Sequence, residues 1–89
     1  MPSIRPWVLR IDPGVLKELT KLPKSDSRKI LQTIDALPLN PFFGDIQKMK
    51  GQENTWRRRI GSYRVFYKLM PRERIVLVFH LERRTSTTY

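Results

Sequence analysis

Hydrophobic positions recur along this chain in two rhythms, and the change from one to the other divides it into a helical part and a strand part. From Arg5 to Ile11 the period is two, with Trp7, Leu9 and Ile11 on one side, which predicts a first strand. Val15, Leu16, Leu19 and Leu22 then recur at helical spacing, with Lys17, Glu18 and Lys21 outward. Asp12 can cap that helix and Pro13 suits its first position. Leu22-Pro23-Lys24 stops it. Ile30, Leu31, Ile34 and Leu37 predict a second amphipathic helix over about 26–37, with Ser25 or Asp26 as its cap. The link is short, so the two helices should form a hairpin. Leu37-Pro38-Leu39-Asn40-Pro41 closes the helical part, because each proline biases its predecessor away from the helical region.

The strand part centres on Thr55–Leu69. Aromatic and β-branched residues alternate with polar ones on both sides of Gly61-Ser62, a pair suited to a type II′ turn. With that pair as the turn, Ile60 faces Tyr63, Arg59 faces Arg64, Arg58 faces Val65, Arg57 faces Phe66 and Trp56 faces Tyr67. Arg57, Arg59, Arg64 and Lys68 then share one face of the hairpin, and Trp56, Ile60, Tyr63, Val65, Tyr67 and Leu69 the other. One face is a basic plate and the other a core wall.

Around the hairpin, residues 42–45 read as a surface loop with Phe42 and Phe43 tucked under the helix end. Residues 47–51 read as a short strand or turn in which Gly51 admits a sharp bend. Met70–Arg74 is a second turn. Ile75–Leu81, the most apolar run, should be a central strand. Antiparallel pairing with residues 63–69 is expected to set Tyr67 near Leu77, Val65 near Phe79 and Arg64 near His80. The result is one α+β domain over residues 1–89, ordered β-α-α-β-β-β, with the helical hairpin packed on a twisted antiparallel sheet.

Composition narrows the function. The chain has 89 residues, 39% of them hydrophobic, enough for one small core. Lys and Arg number 18 against 8 Asp and Glu, a net charge of +10. So large an imbalance points to a polyanion: nucleic acid, an acidic protein, or at lower rank a membrane surface. No apolar run is long enough to span a bilayer, and no signal-peptide pattern opens the sequence. There is no cysteine, which removes disulfides, zinc–cysteine sites and thiol nucleophiles and accords with a cytosolic setting. One histidine excludes a multi-histidine metal site within a monomer, and no cofactor is expected.

Arg59 opposite Arg64 is destabilising when nothing lies between them, so four cations on one face point to an anion held there. Four cations with interleaved aromatics suit a phosphodiester and an unstacked base, and the planar arginine fork matches phosphate oxygens. The plainer alternative is a solvated strand face made soluble by charge. If the site is catalytic, cations would stabilise a dianionic phosphorane while an acid/base group takes the proton of a ribose 2′-hydroxyl. His80 is a candidate contributor, Lys48, Lys50, Lys68 and Arg84 candidate RNA contacts, and Tyr89 is a polar-flanked residue free to reach the plate.

Leu16–Leu22, Leu39-Asn40-Pro41, Lys48-Met49-Lys50-Gly51, and above all Trp56–Tyr67, followed by an apolar strand and a basic end with a late tyrosine, resemble the toxins of the RelE/ParE superfamily of type II toxin–antitoxin pairs. The resemblance implies a β-α-α-β-β-β fold and, in the RelE branch, cleavage of mRNA in the ribosomal A site by metal-free 2′-hydroxyl attack. It gives catalytic roles to Arg57 and Arg59 and a phosphate-stabilising role to Arg64. It matches Arg83, six residues before Tyr89, to a group acting on the phosphate or leaving group, with Tyr89 helping to activate the 2′-hydroxyl. An acidic antitoxin, the ribosome and mRNA are the implied partners. The sequence departs from the pattern at Glu82, where many relatives carry a histidine, at Arg84, which competes with Arg83 for the match, and at Arg58, whose place is usually apolar, so that either its side chain snorkels at the sheet edge or the face assignment slips there. Two other readings stand beside cleavage: a ParE-type inhibitor of DNA gyrase, which needs no catalytic residue, and an RNA-binding domain without toxicity.

Overall fold

Seven elements follow one another along residues 6–83, the part of the chain that the computed structural model describes: β1 (Val8–Ile11), α1 (Pro13–Thr20), α2 (Lys24–Ala36), β2 (Ile46–Lys48), β3 (Thr55–Ile60), β4 (Tyr63–Met70) and β5 (Ile75–Arg83). The strands form one sheet in the order β1-β5-β4-β3-β2, with both helices on one side. This is the expected α+β architecture with two refinements. Residues 46–48 do pair as a strand, Ile46 opposite Arg58, and extend the sheet beyond the hairpin. β1 runs parallel to β5, so the sheet is mixed rather than wholly antiparallel. Alternation along residues 7–11 is the same for either strand direction, and for that reason the sequence pattern is silent on it.

α1 begins as expected, with the Asp12 carboxylate accepting from the Gly14 amide at 2.8 Å and Pro13 in the first turn. Its buried residues are Val15 and Leu19, while Leu16 stays exposed. α2 starts earlier than its pattern suggests. Pro23 takes the cap position without a side-chain hydrogen bond, and neither Ser25 nor Asp26 caps. The Asp26 carboxylate instead accepts from the Tyr63 hydroxyl at 2.8 Å, which ties the first turn of α2 to the start of β4.

The core lies between the helices and one sheet face. Val15, Leu19, Ile30, Ile34 and Leu37 meet Ile60, Tyr63, Val65, Tyr67, Leu69, Val76 and Val78. Full burial of each aliphatic side chain contributes roughly 1.5–3 kcal/mol. Tyr67 is the largest fully buried side chain, and its hydroxyl donates to the Pro41 carbonyl at 2.5 Å. Burial raises its pKa to about 12, a shift that the Arg58 charge only partly opposes.

The β3–β4 register is the one read from the sequence, Ile60 opposite Tyr63 through Trp56 opposite Tyr67. Gly61 has φ +57 and Ser62 is not in the positive region, the pattern of a II′ rather than a I′ turn. The β4–β5 register is different from the expected one. Tyr67 opposes Val78 rather than Leu77, Val65 opposes Leu81 rather than Phe79, and Arg64 opposes Glu82 rather than His80. A four-residue connection with Arg74 at φ +56 places Met70 opposite Ile75, which turns Val76 and Val78 inward. Phe79 then has no partner: the ladder steps from Tyr67–Val78 to Phe66–His80 across a β-bulge. Every residue of Ile75–Phe79 is apolar, so no burial pattern could have chosen between the two registers.

Candidate nucleic-acid interface

Alternation along β3 and β4 places Arg57 and Arg59, Arg64 and Lys68 on the sheet face opposite the helices, as expected for a basic plate. No helix among the described residues covers that face. Phe66 sits between Arg64 and Lys68 on β4, half-buried, with its ring centroid 5.3 Å from the His80 ring and 6.4 Å from Phe79. The plate is thus a cationic hairpin bordered on the β5 side by a small aromatic group, and it offers both phosphate donors and ring faces.

Its electrostatics hold a feature that the sequence did not disclose. Arg59 and Arg64 are direct cross-strand neighbours, and each has a carboxylate on its outer side. Asp45 Oδ2 lies 3.8 Å from Arg59 Nε, and Glu82 Oε1 lies 3.3 Å from Arg64 Nη1. The row Asp45–Arg59–Arg64–Glu82 therefore runs across the sheet with charges in the order minus, plus, plus, minus. Two inner cations face each other, and the outer anions hold them apart. The second Glu82 oxygen is 3.8 Å from His80 Nε2. Arg57 donates to the Gln47 side chain across β2. Arg64 Nε is buried without a hydrogen-bond partner.

Arg58 points to the opposite face, as its place between Arg57 and Arg59 requires, and the face assignment does not slip there. It reaches over the sheet edge, donates to the Phe43 carbonyl and lies 5.4 Å from the centroid of the Phe43 ring. Gly44, at φ +89, leaves the space the guanidinium occupies, which a Cβ would enter. The two phenylalanines are not tucked under the helix end. Phe42 is 53% and Phe43 61% exposed, held by an edge-on contact with Trp56 at 5.6 Å and by Arg58 respectively.

Of the other residues assigned from sequence, His80 stands on the plate's face beside Phe66. Lys48 pairs with Trp56 and so belongs to the helix side, and Lys50 lies in the following loop, on an open groove with Met49, Gly51, Gln52 and Glu53. Arg83 opposes Tyr63, which puts it on the helix side and away from Arg57, Arg59 and Arg64. There it lies 5.8 Å from the Tyr63 ring and lines a cavity of about 250 Å³ with Asp26, Lys29 and Ser62. The hydrogen bond to Asp26 raises the Tyr63 pKa, burial adds to the rise, and the Arg83 charge opposes it. The five residues expected to form one surface are therefore divided: three share it, Arg83 does not, and Tyr89 lies outside the described residues, as does Arg84.

Residues 9–86 match the family model described as ParE toxin of the type II toxin–antitoxin system parDE. The chain belongs to the RelE/ParE superfamily. It is 35% identical over 79 residues to a protein of Methanocaldococcus jannaschii named "Putative toxin RelE1", spanning 85% of this chain and 88% of that one. Among solved structures it resembles the archaeal RelE–RelB complex from Pyrococcus horikoshii, with a TM-score of 0.79, 28% identity, and coverage of 91% of this chain and 98% of that one. The isolated RelE toxin of Escherichia coli shares the fold, with a TM-score of 0.77 at 18% identity over 91% of this chain and 87% of its own. This RelE/ParE chain is accordingly the toxin of a type II toxin–antitoxin system.

Proposed function

We propose that this toxin is a ribosome-dependent mRNA endonuclease that acts in the cytoplasm and is held inactive by an acidic antitoxin. The observation that carries the reading is the set of Arg57, Arg59, Arg64 and Lys68 on one exposed sheet face beside Phe66 and His80. Such a face fits a phosphate backbone with a base laid against a ring. In this reading Arg59 and Arg64 bind the scissile phosphate, while Arg57 and Lys68 hold its neighbours. Attack by the 2′-oxygen forms the O2′–P bond and breaks the P–O5′ bond, leaving a 2′,3′-cyclic phosphate and a 5′-hydroxyl. The two arginines stabilise charge on the equatorial oxygens of the phosphorane. By the family resemblance Tyr89 contributes to proton transfer. The antitoxin is supported by relatives solved as toxin–antitoxin complexes, from Pyrococcus horikoshii and Escherichia coli among others.

A second reading, inhibition of DNA gyrase without catalysis, draws on two observations: the matching family model is named for ParE, and Arg83 stands apart from the plate. The same fold serves both activities, so the fold does not choose between them. Purified protein incubated with programmed ribosomes, with the same mRNA free in solution, and with gyrase and relaxed plasmid does choose. Cleavage on the ribosome alone, with a 2′,3′-cyclic phosphate end, is the expected result. Blocked supercoiling with intact mRNA would overturn it.

A further inference from the structure

Glu82 carries no role in the reading above, yet the β5 strand is built to present it to the plate. Inward-facing Val76 and Val78 set a phase that would send residues 80 and 82 toward the helices as well. The bulge at Phe79 reverses that phase, so that Leu81 turns inward while His80 and Glu82 emerge on the open face opposite Phe66 and Arg64. Bulges re-aim side chains in this way at functional sites. The result is a carboxylate set between Arg64 and His80, one oxygen 3.3 Å from the arginine and the other 3.8 Å from the imidazole.

A carboxylate and a phosphate present oxygens of similar spacing to a guanidinium, and both are recognised by the same fork of N–H donors. Glu82 therefore holds the position that a phosphate oxygen needs in order to reach Arg64. The hold is partial. It consists of a single contact through Nη1, and Arg64 Nε remains buried without a partner. An arginine held through Nη1 alone can exchange that single carboxylate contact for a phosphate that takes Nη1 and Nη2 together. When it does so, Glu82 keeps a neighbour in His80, whose Nε2 lies 3.8 Å from its other oxygen. Asp45 brackets Arg59 more loosely, at 3.8 Å and with both side chains more exposed, and the exchange is assigned to the Glu82 side of the row.

We propose that Glu82 is a resident phosphate mimic: it occupies Arg64 in the empty toxin, is displaced by a phosphate group that binds the plate, and so sets how tightly the plate holds phosphate. The proposal rests on the reading of the plate as a phosphate-binding surface, and its test separates the two. Two probes are used, inorganic pyrophosphate and an eight-nucleotide 2′-O-methyl RNA, which cannot be cut by 2′-oxygen attack. Binding is measured by calorimetry and fluorescence anisotropy for wild type, Glu82→Gln, Arg64→Ala and the double variant, with Glu73→Gln in the β4–β5 turn as a control for net charge. Thermal unfolding checks that each variant is folded.

Glu82→Gln should bind both probes about 1.5- to 5-fold more tightly, the range expected on release of a half-exposed ion pair. The slope of log K against log salt for the RNA should steepen by about 0.7, one more phosphate neutralised. In the Arg64→Ala background the same change should add no more than Glu73→Gln does. Equal gains in both backgrounds would reduce Glu82 to bulk charge and overturn the proposal, as would unchanged or weaker binding by Glu82→Gln, or pyrophosphate that binds no variant. Coupling with pyrophosphate and no affinity for RNA would keep the proposal and remove the RNA reading. Tight RNA binding without coupling would do the reverse.

Discussion

Arg59 and Arg64 stand directly opposite each other on the β3–β4 ladder, two cations in a position where like charges repel. Their outer partners, Asp45 and Glu82, reduce that cost, but exposed pairs of this kind contribute only about 0–1 kcal/mol each. The pairing therefore brings little net gain to stability, and under the proposed function its use is to bind phosphate. Arg64→Ala should remove cleavage on programmed ribosomes by roughly 100- to 1,000-fold, the usual loss on deleting one transition-state charge donor. Unfolding in urea should show stability unchanged within about 1 kcal/mol. Full activity in the variant would exclude Arg64 from the site.

Tyr67 gives the fold a defined alkaline limit. Its hydroxyl is buried on the Pro41 carbonyl, and its pKa stands at about 12, above the ordinary 10. A group whose folded value is raised contributes stability that is complete below its unfolded value and disappears as pH climbs through the folded one. The window is thus about pH 10 to 12, and the two units correspond to roughly 3 kcal/mol. Tyrosinate absorbance should rise for Tyr67 only together with loss of the folded far-ultraviolet dichroism. Tyr67→Phe should remove that alkaline dependence and, by leaving the Pro41 carbonyl without its donor, cost about 1–3 kcal/mol at neutral pH.

Tyr63 answers to a different neighbour. The largest cause of its raised pKa is the hydrogen bond to Asp26, so Asp26→Asn should bring its ionisation down toward the ordinary value while Tyr67 stays where it is. Arg83→Ala should do the opposite, since its charge favours the tyrosinate. Resolved tyrosine ring signals followed against pH would read both shifts, and a Tyr63 indifferent to either change would contradict the geometry of the α2–β4 junction.

The hairpin was legible in the sequence because its rules are local. A Gly-Ser turn fixes the register of Trp56–Ile60 against Tyr63–Tyr67, and strict alternation then sorts arginines from core residues. β5 was legible as a central strand, but its register was not, for the opposite reason. Ile75–Phe79 is apolar on both faces, so pattern carries no phase, and the bulge that brings Glu82 to Arg64 has no mark in the sequence. Arg83 shows the cost: likeness of motif placed it with Arg64, whereas its alternation with Glu82 along β5 places it on the other side of the sheet. Asp45 and Gln47 were missed because residues 42–47 follow no period, and their partners become visible only once β2 is paired with β3.

Arg58 and Gly44 form a pair that the same loop hides and that a double-mutant cycle can expose. A positive φ makes any side chain at Gly44 strained, and the guanidinium of Arg58 fills the place a Cβ would take. Gly51 has a positive φ as well, but nothing lies near it. Gly51→Ala should therefore show the backbone cost alone, about 1 kcal/mol. Gly44→Ala should cost about 1 kcal/mol more than that, by driving Arg58 off the Phe43 carbonyl and ring. In an Arg58→Ala background the two glycine substitutions should become equal, and denaturant midpoints for the six proteins would measure it. A persistent difference would mean that Gly44 is needed for the path of the loop and not for the arginine.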